Sequence, residues 1–175
     1  MTCVVGFEDK GNIYIGADSA GVAGLELSIR ADEKVFINGP FIVGFAGSFR
    51  MGQLLRYKFD PPKQSVKTDD MKYMVTDFID AVRKCFTDNG FGSASTGGLF
   101  LVGYNKKLYR VDSDFQVGKL VLPYAAIGCG DHYALGSMFS SSNKKPEDKV
   151  KFALQTASTF SAGVAPPFKI LKLSK

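Results

Sequence analysis

The chain has 175 residues, of which 45% are hydrophobic, enough for one sizeable core, and it reads as a single domain over residues 1–175. No stretch has the apolar length of a bilayer crossing, and Met1–Lys10, which holds Glu8 and Asp9, does not read as a secretory leader. The net charge of +5 comes from seven lysines between Lys144 and Lys175 set against Glu147 and Asp148; without interleaved aromatics this is a solvated helix face and basic tail, not a nucleic-acid surface.

Thr2 comes first in chain order. If Met1 is removed, as the small Thr2 side chain favours, this residue holds a hydroxyl nucleophile and a free α-amine of pKa near ~8 that can act as its base. Taken alone, Met-Thr is an ordinary start. Thr2–Glu8 and Asn12–Ala17 then read as two strands joined through Asp9-Lys10-Gly11, and Asp18-Ser19-Ala20-Gly21 leaves the second into a loop of small residues. Lys34–Ile37 and Phe41–Ala46 form a second hairpin across Asn38-Gly39-Pro40, the strongest turn signal in the chain. Gly47-Ser48 follows directly and precedes a helical pattern of Met51, Leu54, Leu55 and Lys58, ended by Asp60-Pro61-Pro62. Backbone N–H groups at such a junction can hold an oxyanion, although Ser48 as a plain N-cap is the simpler reading.

Met71, Met74, Val75, Phe78, Ile79, Val82, Cys85 and Phe86 recur at spacings of three and four, which predicts one amphipathic helix over Asp69–Thr87 with a single buried stripe. Phe91–Gly98 is a Gly/Ser/Thr-rich connection without the lysine of a phosphate loop. Leu99–Tyr104, Lys107–Asp112 and Val117–Leu120 are three more strands, turning at Asn105-Lys106, and Tyr124–Ile127 is a short fourth. Gly128-Cys129-Gly130-Asp131 leads into a helix carrying Tyr133, Leu135, Met138 and Phe139. The lone His132 there has no Ser–Asp partners and reads as solvent-facing. A last helix starts at Pro146 and runs through Val150, Phe152, Ala153, Leu154, Ala157 and Phe160, followed by a strand over Phe168–Leu173. Two strand blocks, each followed by a helix pair, predict a four-layer αββα sandwich of α/β class. Cys3, Cys85 and Cys129 are odd in number and lack disulfide or zinc spacing, which suits a reducing cytoplasmic setting and gives no metal site.

Thr2-Cys3-Val4-Val5-Gly6, Gly16-Ala17-Asp18-Ser19, Glu33-Lys34-Val35 and Val43-Gly44-Phe45-Ala46-Gly47-Ser48 together resemble the β-type subunits of the proteasome and bacterial HslV, members of the N-terminal nucleophile (Ntn) hydrolases. Ala126 through Ala134 resembles the family's Gly-Ser-Gly segment. The resemblance spans essentially the full length, and Thr2, Asp18 and Lys34 fall at the family's spacing without a gap. It implies the Ntn fold and a threonine-type endopeptidase: Thr2 Oγ attacks, Lys34 depresses the pKa values beside it, Asp18 orients Lys34 and the Gly47 N–H holds the oxyanion. Cys129 and Ser161 match the serines around the amine. The resemblance further implies a self-compartmentalising homo-oligomeric ring, unfolded polypeptide substrates, an ATP-dependent unfoldase partner and no cofactor. Phe45, by its match, would line and shorten the pocket for the residue preceding the cut.

Two departures stand out. Cys129 replaces a serine, and sulfur is the poorer hydrogen-bond partner. The family's late aspartate falls at Ser158, or at Thr159 in an HslV-like register, and no acidic residue follows Asp148. The alternative is therefore a catalytically silent ring or binding subunit of the same fold. A third reading, with Cys3 as nucleophile or a small-molecule amidase, puts the cysteine one residue out of register with Asp18 and Lys34.

Overall fold

The structure is a computed structural model that describes residues 1–92, 98–141 and 144–174. The expected connection over 91–98 lies partly outside the described residues. Strands β1 (Cys3–Asp9) and β2 (Asn12–Ala17) form the first hairpin, and β5 (Val35–Asn38) and β6 (Phe41–Ala46) the second, close to the expected bounds. Between them the loop of small residues is itself a hairpin, β3 (Ala20–Ala23) and β4 (Glu26–Ile29), which sequence reasoning missed. All four β4 residues are exposed, so this strand has no alternation to betray it.

Helix α1 (Phe49–Tyr57) follows, then α2 (Asp70–Tyr73), a π-helical turn (Met74–Phe78) and α3 (Ile79–Asp88). The anticipated single stripe is therefore broken. A π turn adds a residue to the helical repeat and rotates the face that follows it. Tyr73 and Met74 are fully buried, while Met71 and Val75 stand about two-fifths exposed. Strands β7 (Leu99–Tyr104), β8 (Lys107–Val111), β9 (Val117–Lys119) and β10 (Tyr124–Gly128), helices α4 (Asp131–Ser140) and α5 (Pro146–Phe160) and strand β11 (Lys169–Leu173) complete the order. Asn105 and Lys106 both take positive φ, as the tight β7–β8 turn requires.

The strands do not sort by block. One sheet runs β10-β1-β2-β11 and the other β5-β6-β7-β8-β9, so each draws on both halves of the chain. Three cores separate the layers. Helices α1 to α3 cover the five-stranded sheet through Leu54, Phe78, Val82 and Phe86 against Phe41, Phe100 and Tyr109. Helices α4 and α5 cover the other through Met138, Ala153 and Leu154 against Val5 and Ala126. Between the sheets lie Val4, Ile15, Ile42, Leu101 and Ile127. This is the expected αββα sandwich. The sheets approach closely where side chains are missing: a Cβ on Gly44 would sit 2.6 Å from Val4 Cγ1 and 2.7 Å from Ile15 Cγ2. Of the apolar residues along α5, Val150, Ala153, Leu154 and Ala157 are buried, while Phe152 and Phe160 lie on its outer side.

Candidate active site

One end of the sandwich gathers the singled-out residues because antiparallel hairpins bring strand starts and strand ends together. Thr2 precedes β1, Asp18 follows β2, Lys34 precedes β5 and Gly47 follows β6; β10 delivers Gly128 opposite Cys3, with Cys129 next. Gly128 has φ +100, and a Cβ there would collide with the Thr2 carbonyl oxygen, so only glycine passes beside Thr2.

Lys34 is 1% exposed, and its Nζ donates to Thr2 Oγ1 at 2.9 Å, Asp18 Oδ1 at 2.9 Å and Ala20 O at 2.6 Å. Three donors meeting three acceptors is the geometry of an ammonium. Burial pulls the Lys34 pKa below the ordinary lysine value, with the Asp18 charge and hydrogen bond opposing that pull. Asp18 is fully engaged as a carboxylate. Its Oδ1 also accepts from Cys3 N at 2.9 Å, and Oδ2 accepts from Ala20 N at 2.9 Å and Ala165 N at 3.4 Å. Thr2 itself is 2% exposed, with its hydroxyl donating to the Met1 carbonyl. Cys3 is buried beside Asp18, and both effects push its thiol pKa well up, which disfavours a thiolate nucleophile there.

The backbone side of Thr2 is held differently. Thr2 N donates to Cys129 Sγ at 3.3 Å, and Cys129 Sγ lies 3.4 Å from Thr2 O and 3.4 Å from Ser161 Oγ. Cys129 is exposed, and Ser161 caps the end of α5. Ser158 and Thr159 lie on the last turn of α5.

Gly47, at φ +107, borders a cleft of about 240 Å³ lined by Met1, Gly21, Val22, Ala23, Ser28, Arg30 and Phe49. The neighbouring Ser48 is the N-cap of α1, its hydroxyl accepting from Arg50 N at 3.1 Å. A side pocket past Phe49, with Phe45, Gly52, Gln53 and Arg56 in its walls, holds only about 20 Å³. Phe45 is 3% exposed and meets Phe49 edge-on at 5.9 Å, so aromatic rings fill that space. His132 stands in solvent with its Nδ1 3.6 Å from Asp131.

Sequence reasoning missed three contributors: the Ala20 carbonyl, Arg30 and Phe49. A carbonyl leaves no trace in residue type, and the other two sit outside any hydrophobic period. Among the described residues no group of three or more His, Cys, Asp or Glu is arranged to hold a metal, and no helix is long and apolar enough to cross a membrane.

No family model matches the sequence, and no curated protein sequence matches it. Solved structures do match over the whole chain. BPH of Thiobacillus denitrificans superposes with TM-score 0.81 at 20% identity, covering 99% of both chains; the same protein in complex with Epoxomicin gives 0.80 at 19%. Eukaryotic HslV from Trypanosoma brucei gives 0.73 at 14% identity over 99% of this chain and 100% of its own. Anbu (ancestral beta-subunit) from Yersinia bercovieri gives 0.69 at 18%, over 98% and 81%. The fold is the Ntn hydrolase fold of these proteasome β-type structures.

Proposed function

We propose that residues 1–175 act as one domain, a threonine-type endopeptidase subunit whose nucleophile is Thr2 once Met1 has been removed. The carrying observation is the buried Lys34 ammonium within 2.9 Å of both Thr2 Oγ1 and Asp18 Oδ1. Thr2 Oγ1 bonds to the peptide carbonyl carbon while its proton passes to the freed Thr2 amine. Lys34 steadies the developing alkoxide, Asp18 keeps Lys34 in place, and the Gly47 N–H serves the oxyanion. Collapse breaks the C–N bond, the amine proton leaves with the departing nitrogen, and water then hydrolyses the acyl ester. Cys129 holds the amine, with Ser161 Oγ behind its sulfur. Phe45 keeps the pocket for the residue before the cut shallow, so small side chains are preferred there.

A nucleophile this generic needs confinement, and the reading therefore extends to a homo-oligomeric ring that takes unfolded polypeptide from an ATP-dependent unfoldase. The decisive experiment compares fluorogenic-peptide cleavage by protein beginning at Thr2, verified by intact mass, with its Thr2→Ala variant. Cleavage only by the threonine form is expected; equal rates in both would discard the reading. Epoxomicin, bound by BPH in one of the matching structures, serves as a second probe, with binding expected to vanish in Thr2→Ala.

A silent subunit is the second reading. It is favoured by the sulfur ligand on the backbone side of Thr2 and by the non-acidic Ser158 and Thr159. Retained Met1 in purified protein, together with absent turnover, would select it.

A further inference from the structure

Arg30 lines the cleft bordered by Met1 and Gly47, and the chemistry above makes no use of it. It follows β4, with its amide donating to Ser19 O at 2.9 Å. Its stem packs on Gly21, where an added Cβ would lie 2.9 Å from Arg30 Cδ and 2.7 Å from Ser28 Oγ. Ser28 Oγ in turn donates to Gly21 O at 3.0 Å, so the hairpin and the Arg30 stem form one packed unit. The guanidinium forks onto Asp32, with Nε at 2.6 Å from one oxygen and Nη2 at 2.7 Å from the other.

That fork fixes the plane of the guanidinium, whose central carbon sits 4.1 Å from the centroid of the Phe49 ring. Phe49 is the first residue of α1 and follows Gly47-Ser48 at the other margin of the same cleft. Phe45 meets its edge, and Lys34 Nζ is 5.6 Å from its centroid. The β3–β4 hairpin and the start of α1 belong to different parts of the fold, with no strand pairing between them. Among the described contacts, Arg30 on Phe49 ties one margin to the other.

We propose that Arg30 is a positioning residue for peptide binding: a strut that holds the β3–β4 hairpin against α1 and so sets the width of the cleft that receives an extended polypeptide. This rests on the peptidase reading. Losing a contact of this class, partly shielded from water, shifts the balance between a held and a splayed cleft by up to about tenfold, which bounds the loss of peptide affinity. Lysine would keep a cation near Phe49 but lose the fork to Asp32, so it restores only part of the effect.

The test measures binding apart from chemistry. In the full-length Thr2→Ala protein, the Kd for a fluorescein-labelled unstructured decapeptide is read by anisotropy with Arg30 intact, Arg30→Lys and Arg30→Ala, with thermal melts alongside. Expected are weakening of up to about tenfold for Arg30→Ala, about two- to threefold for Arg30→Lys, and melts that stay cooperative and fall by no more than a few degrees. In protein with Thr2 intact and freed, the same ratios should appear in KM with kcat altered by less than about twofold. Phe49→Leu should match Arg30→Ala, and the double variant should be no weaker than either single one, because both remove one contact. Unchanged Kd and KM, or fully additive losses, would overturn the strut while leaving the peptidase standing. Absence of both cleavage and peptide binding would overturn the peptidase reading and this inference with it.

Discussion

The two flanks of Thr2 are built to different standards. On the hydroxyl side, Lys34 and Asp18 are each 1% exposed and every polar atom is matched at 2.6–3.4 Å by fixed backbone or charged groups. On the backbone side, an exposed thiol at 3.3 Å and a serine at 3.4 Å from that thiol form a loose chain. The difference teaches where the sequence was under physical constraint. A buried charge pair must be complete or the fold suffers, whereas an exposed thiol contact can weaken at little cost to stability.

The comparison breaks most visibly at Asp18. Asp18→Ala leaves the Lys34 ammonium buried without its counter-charge, and a loss of about 3–5 kcal/mol in urea unfolding is expected. Cys129→Ser sharpens it from the other side. A hydroxyl is the stronger acceptor for the freed Thr2 amine, so peptide cleavage should rise by about two- to tenfold, with the urea midpoint unmoved. A fall in activity would contradict the view that sulfur is the weak point. Ser161→Ala removes one exposed 3.4 Å contact and should change cleavage by less than about twofold.

The finest test is the sign of a pH slope. Burial lowers the Lys34 pKa in the folded state, so above that value the unfolded chain holds the extra proton up to the ordinary lysine pKa of 10.5. Stability should therefore rise with pH through that window relative to Lys34→Met, which has no such proton to release. Urea midpoints of both proteins at rising alkaline pH check this; a relative fall would reverse the assigned cause.

Much of the architecture was legible because two of its hairpins announce themselves. Asn38-Gly39-Pro40 and Asn105-Lys106 sit between apolar runs, and both turn where expected. The Thr2, Asp18 and Lys34 spacing was legible for the same reason: each flanks a strand whose length is fixed by its hairpin. What escaped had no local signature. The pairing of β10 and β11 with β1 and β2 joins residues more than a hundred positions apart, and the π turn shifts a helix face that counting by threes and fours cannot anticipate. Hairpin β3–β4 escaped because it packs mostly against solvent, yet it supplies one margin of the cleft.

The placement of β1 between β10 and β2 has a consequence for biosynthesis. Cys3–Asp9 leaves the ribosome more than a hundred residues ahead of its partner over Tyr124–Gly128, and β11, which completes the sheet, comes later still. Such distant pairings form slowly. Thr2 and Lys34 are therefore brought into their finished surroundings late, and on the peptidase reading the nucleophile stays unarmed until the hydrophobic layers have docked.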